Sequence, residues 1–361
     1  MLFISRIYLR GKVEKGEFLS KIYRKMNKIY LVVGIDISKD NFHVCIKEKH
    51  EGNKVTILGS HSFCNTFEGF ISLLEWVDKR RKNNGEVLFV MEATGSYYED
   101  LAYFLYEKKE KVSVVLANKI KYFAKSLNLK SKTDKIDASL IAEIGIERTL
   151  DQWQPMSAQY KRLRDLCREM LSLKKEVSRA KCQLHAMNYS HDKTPKVIAI
   201  KTSQIEFYEN AILQLEDEIK ELVNADQELK QRIAKIEKVK GLGVITIIII
   251  LCETNGFLMF NNIRQVVSYA GLDVVLKESG KYKGKTKISK KGNTRIRQSL
   301  YMPALTAIRH NENIKNLHQR ITERNPDVKR KGIIAGMRKL LILTFVLWKK
   351  NEEYNPKHVW G

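Results

Sequence analysis

Asp36, Glu92, Asp134 and Asp137 stand in the segments LVVGIDIS, VLFVMEATG and KTDKIDA. Three of them lie in or beside apolar runs, where a carboxylate is costly unless something positive neutralises it. Carboxylate oxygens are the preferred ligands of Mg²⁺, which takes octahedral oxygen coordination and keeps some of its waters; Mn²⁺ suits the same donors. Two divalent ions about 4 Å apart would offset four like charges and clamp both oxygens of an in-line phosphoryl transfer. Asp134 and Asp137 are three apart on an expected helix and project from one face. Taken singly, each acid reads as ordinary surface charge. Together, on a strand, strand, helix pattern, they read as a metal site.

A second chemistry lies downstream. Ser279 sits in KESGKYKGK, with Lys277, Lys281, Lys283 and Lys285 around it. A serine hydroxyl is a weak nucleophile until a base or a metal activates it, and lysines would stabilise charge building on a phosphate. Most loop serines are polar filler. Ser289, in ISKKGN, is the nearest rival, followed by Ser268. Between Lys277 and Arg297 nine residues are basic (Lys277, Lys281, Lys283, Lys285, Lys287, Lys290, Lys291, Arg295 and Arg297) and one is Glu. A charge run is most often a solvated face. Here the interspersed Gly280, Gly284 and Gly292, with apolar helices on either side, favour a phosphate-binding segment.

The whole chain agrees with a polyanionic partner. Its 361 residues hold 65 Lys and Arg against 41 Asp and Glu, a formal charge of +24. Such an excess points to nucleic acid or an anionic membrane surface. The longest apolar runs, Ile245–Leu251 and Leu340–Trp348, are too short to span a bilayer and read as buried helices. Five scattered cysteines with no CxxC pair exclude a zinc ribbon or disulfide framework and fit a reducing cytoplasm. The first 25 residues make a poor signal peptide, and residues 1–28 read as an N-terminal extension.

The elements that must position these residues follow from periodicity. Tyr30–Ile37 reads as a buried strand, and Phe42–Lys47 follows the turn-like SKDN to form a hairpin. Val55–Ser62, Val87–Met91 and Val112–Leu116 are further strands. Phe67–Lys79, Tyr97–Glu107 and Asp134–Ile146 are helices, the last capped by Thr133. This pattern predicts an α/β domain over residues 29–150. Leu163, Leu166, Met170, Leu173, Val177, Ala180, Leu184 and Met187 form a heptad seam, interrupted by SHDKTP. A second seam runs through Ile205, Tyr208, Ile212, Leu215, Ile219 and Leu222, then Leu229, Ile233 and Ile236, with Asp226 at a core position where it would set register. Residues 151–238 therefore predict a coiled coil, either an antiparallel hairpin within one chain or a joint between two subunits. Residues 239–361 read as a mainly helical domain. KGLGVITIIIILCE opens it with a Gly-x-Gly turn that could offer backbone N–H groups to a phosphate, and the basic segment reads as a flexible loop before a helix starting near Asn293.

GIDISK, MEATGSYYEDL and KTDKIDA, taken in order, resemble the N-terminal domain of the DEDD transposases, which comprise bridge-RNA-guided insertion-sequence recombinases and the related Piv-type DNA invertases. That domain is similar to the RuvC junction resolvase, with an RNase H-like fold. GLGVITIIIILCE, VSYAGLD and ESGKYKGKTKISKKGNTRIRQSLYMPA resemble the family's second domain. The resemblance spans residues 29–307. It implies that Asp36, Glu92, Asp134 and Asp137 bind Mg²⁺ or Mn²⁺. It implies that Ser279 attacks a DNA phosphate to form a covalent link, with the metal-bearing domain of another subunit completing the site. It further implies donor and target DNA and a structured bridge RNA as partners, in dimers that pair into tetramers. The proline often found after AGL in the family is missing from VSYAGLDVVLKESG, and no family motif covers the N-terminal extension.

Two other readings of the residues stand beside this one. A junction-resolving nuclease would use the same acids with metal-activated water in place of serine. A nucleic-acid-binding scaffold with a decayed site would not be expected to retain all four acids.

Overall fold

A computed structural model describes residues 30–50, 54–81, 85–129, 131, 133–276, 278–280, 282–284 and 286–357. The expected N-terminal extension lies outside the described residues, as do Lys277, Lys281 and Lys285. The chain divides into two compact units, Met1–Pro155 and Met156–Gly361.

The first unit is a five-stranded sheet with helices on both faces. Its strands are β1 (Tyr30–Ile37), β2 (Asn41–Lys49), β3 (Val55–Cys64), β4 (Val87–Glu92) and β5 (Lys111–Val115), in the order β3-β2-β1-β4-β5. β1, β2 and β3 form an antiparallel meander, and β4 and β5 add in parallel beside β1. This strand order and mixed direction are the RNase H-like arrangement. The helices are α1 (Phe67–Asp78), α2 (Glu99–Glu107), α3 (Ala117–Ser126) and α4 (Asp134–Glu147).

Period-two alternation divides the sheet between two cores. Leu31, Val33, Ile35 and Ile37 of β1, with Phe89 and Met91 of β4, pack against Phe70, Leu73 and Val77 of α1 and Leu101, Phe104 and Leu105 of α2. Val32 and Val90 face the other way and pack with Ile120 and Phe123 of α3 and Leu140, Ile141 and Ile144 of α4. The sequence reading contains no helix over α3. That segment, ANKIKYFAKS, buries only Ile120 and Phe123 and has no side-chain N-cap, so its periodic signal is faint.

The second unit is almost entirely helical. α5 (Ala158–Asn188) and α6 (Pro195–Ala225) pack as an antiparallel hairpin within the chain, cross-linked by Arg162–Glu218, Lys174–Glu216 and Lys181–Glu209 ion pairs. Asp226 does not sit in the seam. Its carboxylate accepts from the Leu229 N–H at 3.0 Å and caps α7 (Gln227–Glu237), so it ends one helix and starts the next. α8 (Val244–Glu253), α9 (Ile263–Tyr269), α10 (Thr294–His310), α11 (Glu312–Glu323) and α12 (Arg330–Lys350) complete the bundle. Both long apolar runs are buried there, in α8 and α12. No helix among the described residues is long and apolar enough to cross a membrane. Gly241, with φ +105°, packs its α-carbon against Ala307, where a side chain would collide at 2.7 Å. The Gly-x-Gly turn is thus a close-packing device.

Candidate active site

The four acids are brought together by the contact between α4 and the sheet. Gly34 of β1 leaves no gap: a Cβ there would stand 2.2 Å from the Ala138 carbonyl oxygen and 2.2 Å from the Ala142 nitrogen. Two residues earlier, Val32 meets Gly145, as does Val90 of β4. The helix therefore runs opposite to β1. One step further along the strand, the side chain of Asp36 comes beneath the first turn of α4, which carries Asp134 and Asp137. Glu92 shares this face, because it follows Val90 by two on β4 and the register places Ile35 beside Met91. Lys47 on β2 pairs with Glu143, and the Lys49 Nζ donates to the Ile146 carbonyl at 3.4 Å, which fixes the helix along the sheet. Thr133 caps α4, accepting from the Ile136 N–H at 3.3 Å.

Asp36, Glu92 and Asp137 are half-buried and Asp134 is exposed. All donors are hard oxygens, the set that suits Mg²⁺ or Mn²⁺. Among the described residues no three His, Cys, Asp or Glu side chains stand close enough together to hold one ion. The fold gathers the acids on one face without closing them into a finished coordination shell.

His43 belongs to the same place and was missed by the sequence reading. It lies directly opposite Asp36 in the β1–β2 ladder, and its Nδ1 is 3.6 Å from Asp134 Oδ2. A signal existed: a hairpin closed by SKDN pairs Ile37 with Phe42, which brings Asp36 opposite His43.

In the second unit the basic segment is a two-tier hairpin and not an open loop. β6 (Val274–Val275) pairs with β9 (Lys287–Ile288), and beyond it β7 (Glu278–Ser279) pairs with β8 (Tyr282–Lys283). Ser279 is exposed on the outer tier, opposite Tyr282, with Gly280 at φ +56° making the turn. Ser289 is at the neck, where its hydroxyl donates to Asp273 Oδ1 at 2.6 Å and accepts from the Lys291 N–H at 3.3 Å. Ser268 is exposed on the short α9. Lys287, Lys290, Lys291 and Arg295 are exposed, whereas Arg297 turns inward and donates to the Ala270 carbonyl at 2.8 Å and the Gly292 carbonyl at 3.2 Å.

The neck is anchored by Glu253, the last residue of α8, whose side chain is 3% exposed. Arg168 of α5 grips both its oxygens at 2.7 and 3.0 Å, and the Asn293 amide donates to it at 2.7 Å. Asn293 also caps α10, accepting from the Arg295 and Ile296 N–H groups. Burial pushes the Glu253 carboxyl up, but the Arg168 fork, Asn293 and Arg295 outweigh it and hold it below the usual carboxylate range. No local signal marks Glu253, since its partners lie 40 and 85 residues away.

Residues 33–187 match a family model described as Transposase, of the IS110 DEDD type, and residues 233–319 match one described as Transposase IS116/IS110/IS902 family. The chain is 28% identical to the pilin gene-inverting proteins of Moraxella lacunata and Moraxella bovis, each over 92% of this chain and 99% of the relative. The solved structure of Thermus thermophilus RuvC matches 34% of this chain and 99% of its own, at 14% identity and a TM-score of 0.26.

Proposed function

The chain belongs to the IS116/IS110/IS902 transposase family and is a DNA transposase or recombinase, and from this we propose that it cuts and rejoins DNA using the acid face of one unit and a serine on the other. The observation that carries the reading is the packing of α4 on β1, which aims Asp134 and Asp137 at the strand ends bearing Asp36 and Glu92. These four would hold Mg²⁺ or Mn²⁺. Divalent ions there would polarise the scissile phosphate and offset charge on the displaced oxygen.

Ser279 is the proposed nucleophile. Its exposure on the outer hairpin, with basic residues in the same segment, suits attack on a backbone phosphate. The serine oxygen bonds to phosphorus, a deoxyribose oxygen leaves with the bonding electrons, and the enzyme stays joined to DNA until the displaced end of another strand attacks. Ser289 is already engaged by Asp273, which suits a hydroxyl that holds the neck.

Lys277, Lys281, Lys283, Lys285, Lys287, Lys290, Lys291, Arg295 and Arg297 are proposed to meet nucleic acid through phosphates, which gives affinity without sequence choice. Target choice would then rest on base pairing by a bridge RNA. The gene inversion named for the Moraxella relatives is the same class of strand exchange. The α5–α6 hairpin is proposed to join subunits into dimers and then tetramers. Exposed Tyr189, Ile200 and Phe207 near its turn support that role.

A junction-resolving nuclease would share the acid face and dispense with the serine. The deciding experiment is the product: denaturant-resistant protein–DNA adducts support the serine reading, and nicked DNA without adduct supports the nuclease.

A further inference from the structure

The geometry points to His43 as a nitrogen ligand of the metal site, one that shifts its preference from Mg²⁺ toward Mn²⁺. The inference rests on the reading of the acid face as a metal site. Two independent placements carry it. The β1–β2 ladder sets His43 directly opposite Asp36, and residues so paired project to the same face with Cβ atoms about 5 Å apart. The same imidazole stands 3.6 Å from Asp134 at the start of α4. His43 therefore lies between the sheet acid and the helix acid that the packing of α4 brings together.

The 3.6 Å separation is itself informative. It exceeds an N–H···O hydrogen bond, which closes to about 2.9 Å. Two donors each about 2.1 Å from one ion stand roughly 3–4 Å apart in octahedral geometry, and Nδ1 and Oδ2 fall in that interval. The bland alternative is that His43 only offsets the charge of Asp134 on a half-exposed surface. A ring at 36% side-chain exposure is accessible to an ion from solvent and is supported by a buried strand beneath it.

An imidazole changes which ion is favoured. Mg²⁺ demands oxygen donors, whereas first-row transition ions gain from nitrogen. Mn²⁺ affinity should therefore exceed that of an all-carboxylate site, while Mg²⁺ affinity should depend little on His43.

The test uses the full-length chain with Mn²⁺ as the paramagnetic probe. Spin-echo modulation from nitrogen bonded to Mn²⁺ should appear, change to the ¹⁵N pattern when histidine is ¹⁵N-labelled, and vanish in His43→Gln. His43→Gln should weaken Mn²⁺ binding about tenfold, the scale at which metal-site partners act, and Mg²⁺ binding less than about threefold. The labelled, unmutated chain supplies the nitrogen readout even if a variant misfolds. Mn²⁺ binding that depends on Asp36 but shows no nitrogen modulation would overturn the role of His43 and leave the acid face standing. Modulation that survives His43→Gln would overturn it equally. If Asp36→Asn leaves Mn²⁺ affinity unchanged, the acid-face reading fails and this inference falls with it.

Discussion

The acids ride on β1, an eight-residue strand paired on both sides, and on the first turn of a fourteen-residue helix that touches Gly34 backbone to backbone. Ser279 rides on a two-residue strand, itself carried by a second two-residue ladder and tied to the bundle through one buried carboxylate at the neck. The contrast matches what each group has to do. Metal-holding carboxylates need fixed mutual positions, which a strand and a helix locked together supply. A nucleophile that attacks a phosphate and then stays joined to DNA needs reach and access, and a narrow hairpin standing off a rigid base supplies those.

The largest effect should come from the acid face. Asp36→Ala is expected to lower strand exchange by about a thousandfold or more, the scale of losing a transition-state charge partner, with DNA binding little changed in a gel-shift titration. Gly34→Val should do comparable harm by a different route, because the added side chain must displace the backbone of α4. A stability loss of about 3 kcal/mol is expected in chemical denaturation, with loss of metal binding. A tolerated Gly34→Val would show that the helix is not held as rigidly as the comparison requires.

The corresponding weak point of the second unit is Glu253. Glu253→Ala strands the Arg168 guanidinium and should destabilise that unit by about 3 kcal/mol, without touching metal binding. Glu253 also gives the unit a pH dependence. Its pKa in the folded chain lies below the ordinary value of 4.5, so it contributes stability that is present above that value and lost as pH falls through the folded one. Denaturation monitored between about pH 6 and pH 3 should show that loss, and Glu253→Gln should flatten it.

The smallest pair of effects sharpens the contrast most. Thr133→Ala and Asn293→Ala each remove a helix cap and should each cost about 1 kcal/mol. Thr133→Ala should weaken Mn²⁺ binding and leave the hairpin intact. Asn293→Ala should lower adduct yield and leave Mn²⁺ binding intact. Equal effects of both on both readouts would erase the distinction between the units.

Period-two alternation made the first unit legible. Tyr30–Ile37 coincides with β1, and Val87 and Val112 fall within one residue of the starts of β4 and β5. The four acids could be singled out because carboxylates beside apolar strands are unusual. Their convergence on one face could not, since it depends on the direction in which α4 crosses β1 and on the bare Gly34. The basic segment read as a loop because two-residue ladders carry no periodic signal, and its closure comes from backbone bonds at its neck, such as Ser289 N–H to the Asp273 carbonyl at 2.9 Å. Asp226 fell on a heptad position, and the pattern alone did not reveal that its carboxylate finds a backbone N–H three residues on and breaks the helix there.

The division of labour between the two units is tested most directly by trapping the chain on DNA carrying its element ends, then mapping the attachment by peptide mass spectrometry. The account predicts an adduct on Ser279 that needs a divalent metal, disappears in Ser279→Ala and persists in Ser289→Ala. Cleaved DNA with no attached protein, or an adduct at any other residue, would contradict it.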